Sequence, residues 1–375
     1  MTDQQDFLRA RECCYLDTAA EGLPPAAAAA ALEAYLAAKN LGTPGRAALY
    51  AEEREAIRSA ARLLGVAAED LAFLANTSEA LNLLANSMRW EPGDHVLLCD
   101  LEFPSNVVSW LRLRQFGVDV EVLPAHRGAV PIDDFVSRLR PRTRLVTVSQ
   151  VSYKTGTRLP YVPELAAAAH RVGALLCLDA TQALGRVPVA VEGVDYLVAS
   201  SYKWLLGTHG LAVAYCAPTL RDRMEPASTG WYSLDSPFRP DRFTDYALKP
   251  RAAALQAGMP NFPAIYALRA GVDHLLAADV ARIDETLRPL VADLREGLAK
   301  QGLDLLTPAD PVYASGIVSF AHPRPEALGA ALEERGVIVW AGDGRVRASM
   351  HLYNGRADVE RLLDALLEVN HLDRL

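Results

Sequence analysis

The sequence predicts an α/β fold: a mainly parallel sheet of seven strands between helices, followed by a small α+β domain. Three observations carry that prediction. Short aliphatic and β-branched runs, among them 174–178 and 194–199, are apolar at nearly every position instead of alternating, Asp195 being the exception, as strands buried on both faces are. Segments of helical spacing separate these runs at intervals that suit right-handed βαβ units. Polar residues stand where the runs stop: Asp179 after the first, then Ser200, Ser201, Tyr202 and Lys203 after the second.

In chain order, a short strand at 15–16 enters the turn Asp17-Thr18-Ala19-Ala20-Glu21-Gly22. Pro24-Pro25 and an alanine-rich helix to about residue 40 follow, since alanine is the strongest helix former. A Gly/Pro loop at 41–46 precedes a helix over 47–64 and a strand over 71–74. Asn76-Thr77-Ser78-Glu79 then opens a helix to about residue 88, with side chains suited to capping and free N–H groups suited to an anion. The turn Glu91-Pro92-Gly93-Asp94 leads to a strand at 95–99, and Leu101 to Asn106 opens a helix to about residue 116. Strands at 118–123 and 144–149 flank a helix over 131–140. After the run at 174–178 come a short helix carrying Gln182, the run at 194–199, and a final strand at 211–216.

The interval 221–250 is aromatic, proline-bearing and aperiodic, and loops of that length are uncommon unless functional. Trp231, Tyr232 and Phe238 are therefore candidates for a substrate entrance or, equally, for a dimer contact. Two helices over 263–301 lead to strands at 312–320, 337–340 and 346–348, with helices over 325–335 and 356–369. Residues 21–255 are expected to form the large domain, and residues 1–20 with 256–375 the small one.

Composition narrows the function. With 375 residues and 51% hydrophobic content the chain can bury a large core, and a net charge of −8 with a pI near 5.6 argues against nucleic acid. No uncharged apolar run approaches the length of a membrane span, and the first residues lack the pattern of a signal peptide, so a cytoplasmic protein is expected. Cys13, Cys14, Cys99, Cys177 and Cys216 show no metal-binding spacing; reduced thiols and no metal are expected.

Asp179 and Lys203 would both sit where strands end, which is where open α/β sheets bind ligands. A carboxylate, an amine and neighbouring hydroxyls suit pyridoxal phosphate. Its aldehyde needs a lysine, its ring nitrogen needs a carboxylate to stay protonated, and its phosphate needs hydroxyl and N–H donors. Lys154 is the other lysine near a strand end, but it lacks the Ser-x-x-Lys frame of Lys203, since Val151 stands three residues before it.

The segments DATQALG and SSYKWLLGTHG resemble the class V aminotransferases, a fold-type I family of pyridoxal-phosphate enzymes that includes cysteine desulfurases, isopenicillin N epimerase-like enzymes and carbon–sulfur lyases. The resemblance implies that Lys203 is the catalytic Schiff-base lysine and α-proton base. It implies Asp179 as partner of the ring nitrogen, Gln182 as donor to the phenolic oxygen, and Thr77, Ser78, Ser200 and Tyr202 as phosphate ligands. Tyr202 stands where many relatives have histidine. Phe103 becomes the ring-stacking residue, Tyr153 faces the cofactor, Ala20 in the YLDTAA turn lies near the substrate carboxylate, and Arg347 binds that carboxylate.

The same resemblance implies a homodimer with active sites near the subunit interface, although Met259 stands where the family has a threonine reaching the partner's phosphate. It also marks departures from desulfurases: phenylalanine at 103 in place of histidine, tyrosine at 153 in place of asparagine, and no cysteine in 332–346, where Gly342-Asp343-Gly344 signals a hairpin. An enzyme acting on a small α-amino acid is expected. Transamination is the leading reaction, a β-eliminating carbon–sulfur lyase or an epimerase the alternative, and a non-catalytic binding protein the remaining one.

Overall fold

A computed structural model describes residues 4–221 and 223–372. Met1, Thr2 and Asp3 of the N-terminal stretch, Asp222 in the aromatic loop and the last three residues lie outside the described residues. The first strand, β1 (Cys14–Tyr15), belongs to the second of two sheet systems.

The larger sheet holds β2 (Leu71–Leu74), β3 (His95–Cys99), β4 (Asp119–Leu123), β5 (Thr143–Ser149), β6 (Leu175–Asp179), β7 (Tyr196–Ser200) and β8 (Ala212–Cys216). Their order is β2-β8-β7-β6-β5-β3-β4, and every pairing from β7 to β4 is parallel. Only β8 runs antiparallel, to both β7 and β2. β3, β6, β7 and β8 are buried at each residue because helices cover both faces. Alternate residues serve the two cores: Leu97 and Cys99 of β3 pack on one side, Val96 and Leu98 on the other.

The second system contains β9 (Asp304–Leu305), β10 (Ile317–Ala321), β11 (Val337–Ile338), β12 (Trp340–Gly342) and β13 (Arg345–Ser349). An antiparallel sheet runs β12-β13-β10-β9, and β11 pairs in parallel with β1. Helices Val280–Lys300, Pro325–Glu333 and Arg356–Leu372 accompany it. The helix Phe262–Ala278 packs instead on the helices Ala27–Asn40 and Arg46–Leu64, within the core of the larger sheet.

Three local expectations are corrected. Gln182 lies in consecutive turns, not a helix; the carbonyl of Ala180 accepts from the amides of both Ala183 and Leu184, so the chain reverses before a helix can propagate. The strand expected from residue 312 starts only at Ile317. Asp310 caps a tight turn at Pro311–Tyr313, its Oδ1 accepting from the Val312 amide at 3.0 Å. The run 337–340 is split at Val339 between β11 and β12, which join different sheets. The Asp343-Gly344 hairpin does form: both residues have positive φ (49° and 72°), as a type I′ turn requires, and Gly342 pairs with Arg345 across it.

A buried ionic cluster joins the two systems. Arg186, fully buried, donates to Asp284 Oδ1 at 2.9 Å and to the Met350 carbonyl at 2.9 Å, while Arg288 and Arg158 approach Asp284 Oδ2 at 2.6 and 3.7 Å. Losing one partner of such a pair strands a charge in low dielectric. Asp284→Ala is therefore expected to cost about 3–5 kcal/mol of stability, and Asp284→Asn less, both read from urea unfolding midpoints.

Candidate functional site

The carboxyl ends of β5, β6 and β7 open into a cleft lined by Thr77, Phe103, Ser149, Val151, Tyr153, Asp179, Thr181, Gln182, Ser200, Tyr202 and Lys203. Asp179 closes β6, opposite Ser149 of β5 and Val198 of β7. Its Oδ1 accepts from the Thr181 amide at 2.9 Å, and no ion pair reaches it among the described residues. Burial pushes this carboxyl above its usual range.

Lys203 follows β7 in a tight turn in which Leu206 N–H bonds the Lys203 carbonyl and the Ser201 hydroxyl bonds that of Leu211. Only 8% exposed, its Nζ lies 5.3 Å from the Phe103 ring and 5.5 Å from that of Tyr202. Desolvation, helped by the charge of Arg347, lowers its pKa to about 8. The turn is clamped from two sides. A Cβ on Gly22 would sit 1.8 Å from the Lys203 carbonyl oxygen, and one on Gly271 2.3 Å from that of Leu205, so only glycine permits these approaches.

The hydroxyls sort themselves by partner. Asn76 caps the helix Thr77–Ser87 through the Glu79 amide, leaving the first-turn N–H groups of Thr77 and Ser78 directed outward. Thr77 Oγ1 lies 3.3 Å from Ser200 Oγ, whereas Ser78 Oγ is paired with Ser105 at 2.7 Å. Gln182 is held on two sides: its amide donates to the Ala19 carbonyl at 2.9 Å and accepts from the Trp204 indole at 2.6 Å, so one N–H remains for a ligand. Ala19 N–H in turn bonds Ser349, which anchors the turn containing Ala20. Tyr202 stacks on His209 at 4.5 Å.

Arg347 is 3% exposed; it donates to the Tyr153 carbonyl at 2.8 Å and lies 3.8 Å from Asp17. Tyr153 meets Phe103 edge-to-face at 5.0 Å, which brings Arg347 into the same neighbourhood as Lys203. Desolvation lowers Arg347 to about 10, and desolvation raises Asp17 to about 6 despite the arginine beside it. Of the sequence candidates, Thr77, Phe103, Tyr153, Asp179, Gln182, Ser200, Tyr202 and Lys203 line the cleft; Arg347 adjoins it through Tyr153, Ala20 is not among the lining residues, and Ser78 is engaged elsewhere. Tyr232 belongs to another contact, its hydroxyl on Glu53 at 2.5 Å, and neither it nor Trp231 nor Phe238 is among the cleft-lining residues.

Sequence reading missed two groups of this site. Asp17, the counter-charge of Arg347, lies inside the YLDTAA turn, three residues before Ala20. Glu102 sits beside Phe103 and is buried with four donors and, among the described residues, no cation: Asn106 Nδ2, Ser149 Oγ, Ser149 N–H and Cys99 Sγ at 2.6, 2.6, 2.9 and 3.3 Å. Its burial raises it to about 7.

A flat, cationic heteroaromatic aldehyde bearing a phosphate fits this set. The buried Asp179 carboxylate lacks a cation, Phe103 offers a ring face, Lys203 an amine of lowered pKa, and Thr77 and Ser200 hydroxyls beside a helix N-terminus. A family profile described as "Aminotransferase class-V" matches residues 14–362. The chain belongs to this family. Its cofactor is pyridoxal 5′-phosphate, and its architecture is the fold-type I architecture expected above. It is 31% identical to a probable cysteine desulfurase of Methanothermobacter thermautotrophicus over 98% of this chain and 97% of that one. It is 29% identical to an uncharacterized aminotransferase of Bacillus subtilis, over 82% and 80%. The apo structure of a cysteine desulfurase from Thermococcus onnurineus superposes with a TM-score of 0.90 at 26% identity, covering 98% of this chain and 96% of the other.

The lowered Lys203 pKa is directly testable. Folded-state depression means the neutral amine is favoured in the native protein, so this contribution to stability is present above about 10.5 and is lost as pH falls through about 8. In cofactor-free protein, acylation of Lys203 by an amine-directed reagent, followed by peptide mass mapping, should reach half its maximal rate near pH 8. Exposed lysines should reach theirs near their ordinary value.

Proposed function

We propose that the chain is an aminotransferase of α-amino acids, working through Lys203. The observation that carries this reading is the convergence of Lys203 and Asp179 at adjacent strand ends, with Arg347 reached through Phe103 and Tyr153. When bound, the cofactor supplies an aldehyde conjugated to an electron-accepting ring.

Each residue then has a task. Asp179 holds a proton on the ring nitrogen, because a buried carboxylate is stabilised by an adjacent cation. Phe103 covers one ring face, and Gln182 directs its remaining N–H to the phenolic oxygen. Thr77 and Ser200, with the first-turn amides of Thr77 and Ser78 and the hydroxyl of Tyr202, hold the phosphate. Arg347 takes the substrate carboxylate in its planar fork, with Tyr153 beside it and the Ala20 turn behind it. Lys203 would hold the cofactor through its aldehyde, and its free amine would take the α-proton and return it.

Transfer of sulfur to a protein cysteine is disfavoured, although relatives from Methanothermobacter thermautotrophicus and from Salmonella are named probable cysteine desulfurase and cysteine desulfurase. All five cysteines are buried, and the segment ahead of Arg347 is closed by a two-residue turn without one. Burial raises Cys14, Cys99 and Cys177 far above the range of a nucleophilic thiol. A β-eliminating lyase or an epimerase uses the same residues up to removal of the α-proton and remains the second reading.

The working unit in this reading is a cytoplasmic homodimer; free thiols suit a reducing compartment. Met259 is 47% exposed beside a cleft of about 610 Å³ between the helix Thr77–Ser87 and residues 255–261, a surface suited to a second copy. In this reading residues 21–255 make the large domain and residues 1–20 with 256–375 the small one, although the helix Phe262–Ala278 packs in the core of the large domain.

The decisive assay incubates holoenzyme with amino acids and follows the amino group. Pyridoxamine phosphate and a 2-oxo acid formed in equal amounts support transamination; pyruvate with ammonia, or inverted substrate, moves the assignment to the second reading. Lys203→Ala should lower turnover by at least about a thousandfold, since it removes both the covalent anchor and the base. Unchanged turnover would end the proposal. Met259→Thr should slow cofactor loss on dialysis if that turn faces the partner's phosphate.

A further inference from the structure

Arg345 is left unexplained by the chemistry above. It is two residues from Arg347 on β13, so both side chains leave the same face of the strand. Arg345 is 2% exposed and Arg347 3%. Across the ladder, Arg347 faces Trp340 while Arg345 faces Gly342, where a Cβ would stand 3.3 Å from the Trp340 ring, so the glycine gives that ring room. The Trp340 ring lies against both, 4.6 Å from the Arg345 guanidinium and 5.2 Å from that of Arg347.

Two buried cations side by side repel, and Arg345 is one of the charges that lower the pKa of Arg347. Each has only partial compensation. Arg347 has Asp17 at 3.8 Å, and Arg345 pairs with Asp343, whose side chain is 72% exposed on the hairpin tip. The Nε of each guanidinium is buried without a hydrogen-bond partner. Unused donors on desolvated cations are costly unless an anion is meant to meet them.

The aromatic groups mark where that anion comes from. The Arg345 guanidinium is 5.3 Å from the Tyr153 ring, Tyr153 is 5.0 Å from Phe103, and Phe103 is 5.3 Å from Lys203 Nζ. A substrate held by its amine near Lys203 and its α-carboxylate on Arg347 can extend its side chain past Tyr153 toward Arg345.

We propose that Arg345 and Arg347 form a double anion site, and that the substrate is an acidic α-amino acid whose side-chain carboxylate is bound by Arg345. This rests on the reading of the Lys203 cleft given above. Asp343, at the solvent-exposed tip, is the resting partner that the substrate carboxylate replaces. Trp340 and Tyr153 keep water from the two guanidiniums, which strengthens both charge-assisted bonds.

The test compares acid and amide isosteres, which differ in charge and hardly in shape. With wild-type holoenzyme, kcat/KM for L-aspartate over L-asparagine, or for L-glutamate over L-glutamine, should be at least about tenfold, as expected for a buried charge-assisted contact. In Arg345→Met, whose unbranched side chain keeps the packing between Tyr153 and Trp340, that ratio should fall toward one. Calorimetry with glutarate and butyrate, which carry no amine to react, should show at least about tenfold tighter binding of the dianion to wild type. That difference should be lost in Arg345→Met.

Equal use of acid and amide by wild type overturns the double site, whether or not the variant folds. So does an Arg345→Met protein that loses both activities by the same factor. If no amino acid reacts while glutarate still binds in an Arg345-dependent way, the aminotransferase reading fails and the anion site stands.

Discussion

Everything in this molecule that bears on chemistry depends on keeping one carboxylate and one amine dry at neighbouring strand ends. Water would restore ordinary values to both: Asp179 is pushed up by burial, and Lys203 is lowered to about 8. The parallel sheet supplies the geometry, because β6 and β7 run side by side in the same direction and so end at the same edge. Dryness is supplied by other parts of the chain, above all by Gly22 and Gly271, which allow two backbones to close on the turn carrying Lys203.

How much of this could be read in the sequence depended on distance along the chain. Asp179, Gln182, Ser200 and Lys203 stand within one contiguous stretch whose apolar runs announce their own boundaries, and the strand ends fall where polar residues interrupt them. The turn at Gln182 escaped because its reversal is set by hydrogen bonds to Ala180, which periodicity does not encode. The break at Val339 escaped because β11 and β12 answer to different partners, β1 and β13. Asp17 and Glu102 were overlooked for a related reason. A carboxylate in a turn or at a helix start is ordinarily a cap, and only the folded chain shows Asp17 beside Arg347 or Glu102 surrounded by donors.

The departures from desulfurase-like sequences have a common physical direction. Phenylalanine at 103 can stack but cannot carry a proton, and it meets Tyr153 edge-to-face. Ahead of Arg347 the chain turns in two residues, Asp343 and Gly344, which fixes the edge of β12 and β13 and packs Trp340 against the arginines. Aromatic and cationic surface thus lines this edge. In the proposed reading, such a wall selects a substrate by charge and shape.

The pairing of residues 14–17 has a consequence for how the polypeptide reaches its native state. Cys14 and Tyr15 lie opposite Val337 and Ile338 in a parallel pair, with Cys14 N–H donating to the Gly336 carbonyl and Leu16 N–H to that of Ile338, and Asp17 bridges to Ser349, so an early segment finds its partners only near the other extreme of the chain. Closing so long a loop is entropically slow, while the seven-stranded sheet can assemble from nearer contacts. Completion of the cleft is thereby deferred to the last steps of folding, and a half-finished chain emerging from the ribosome carries its lysine without the means to shelter it.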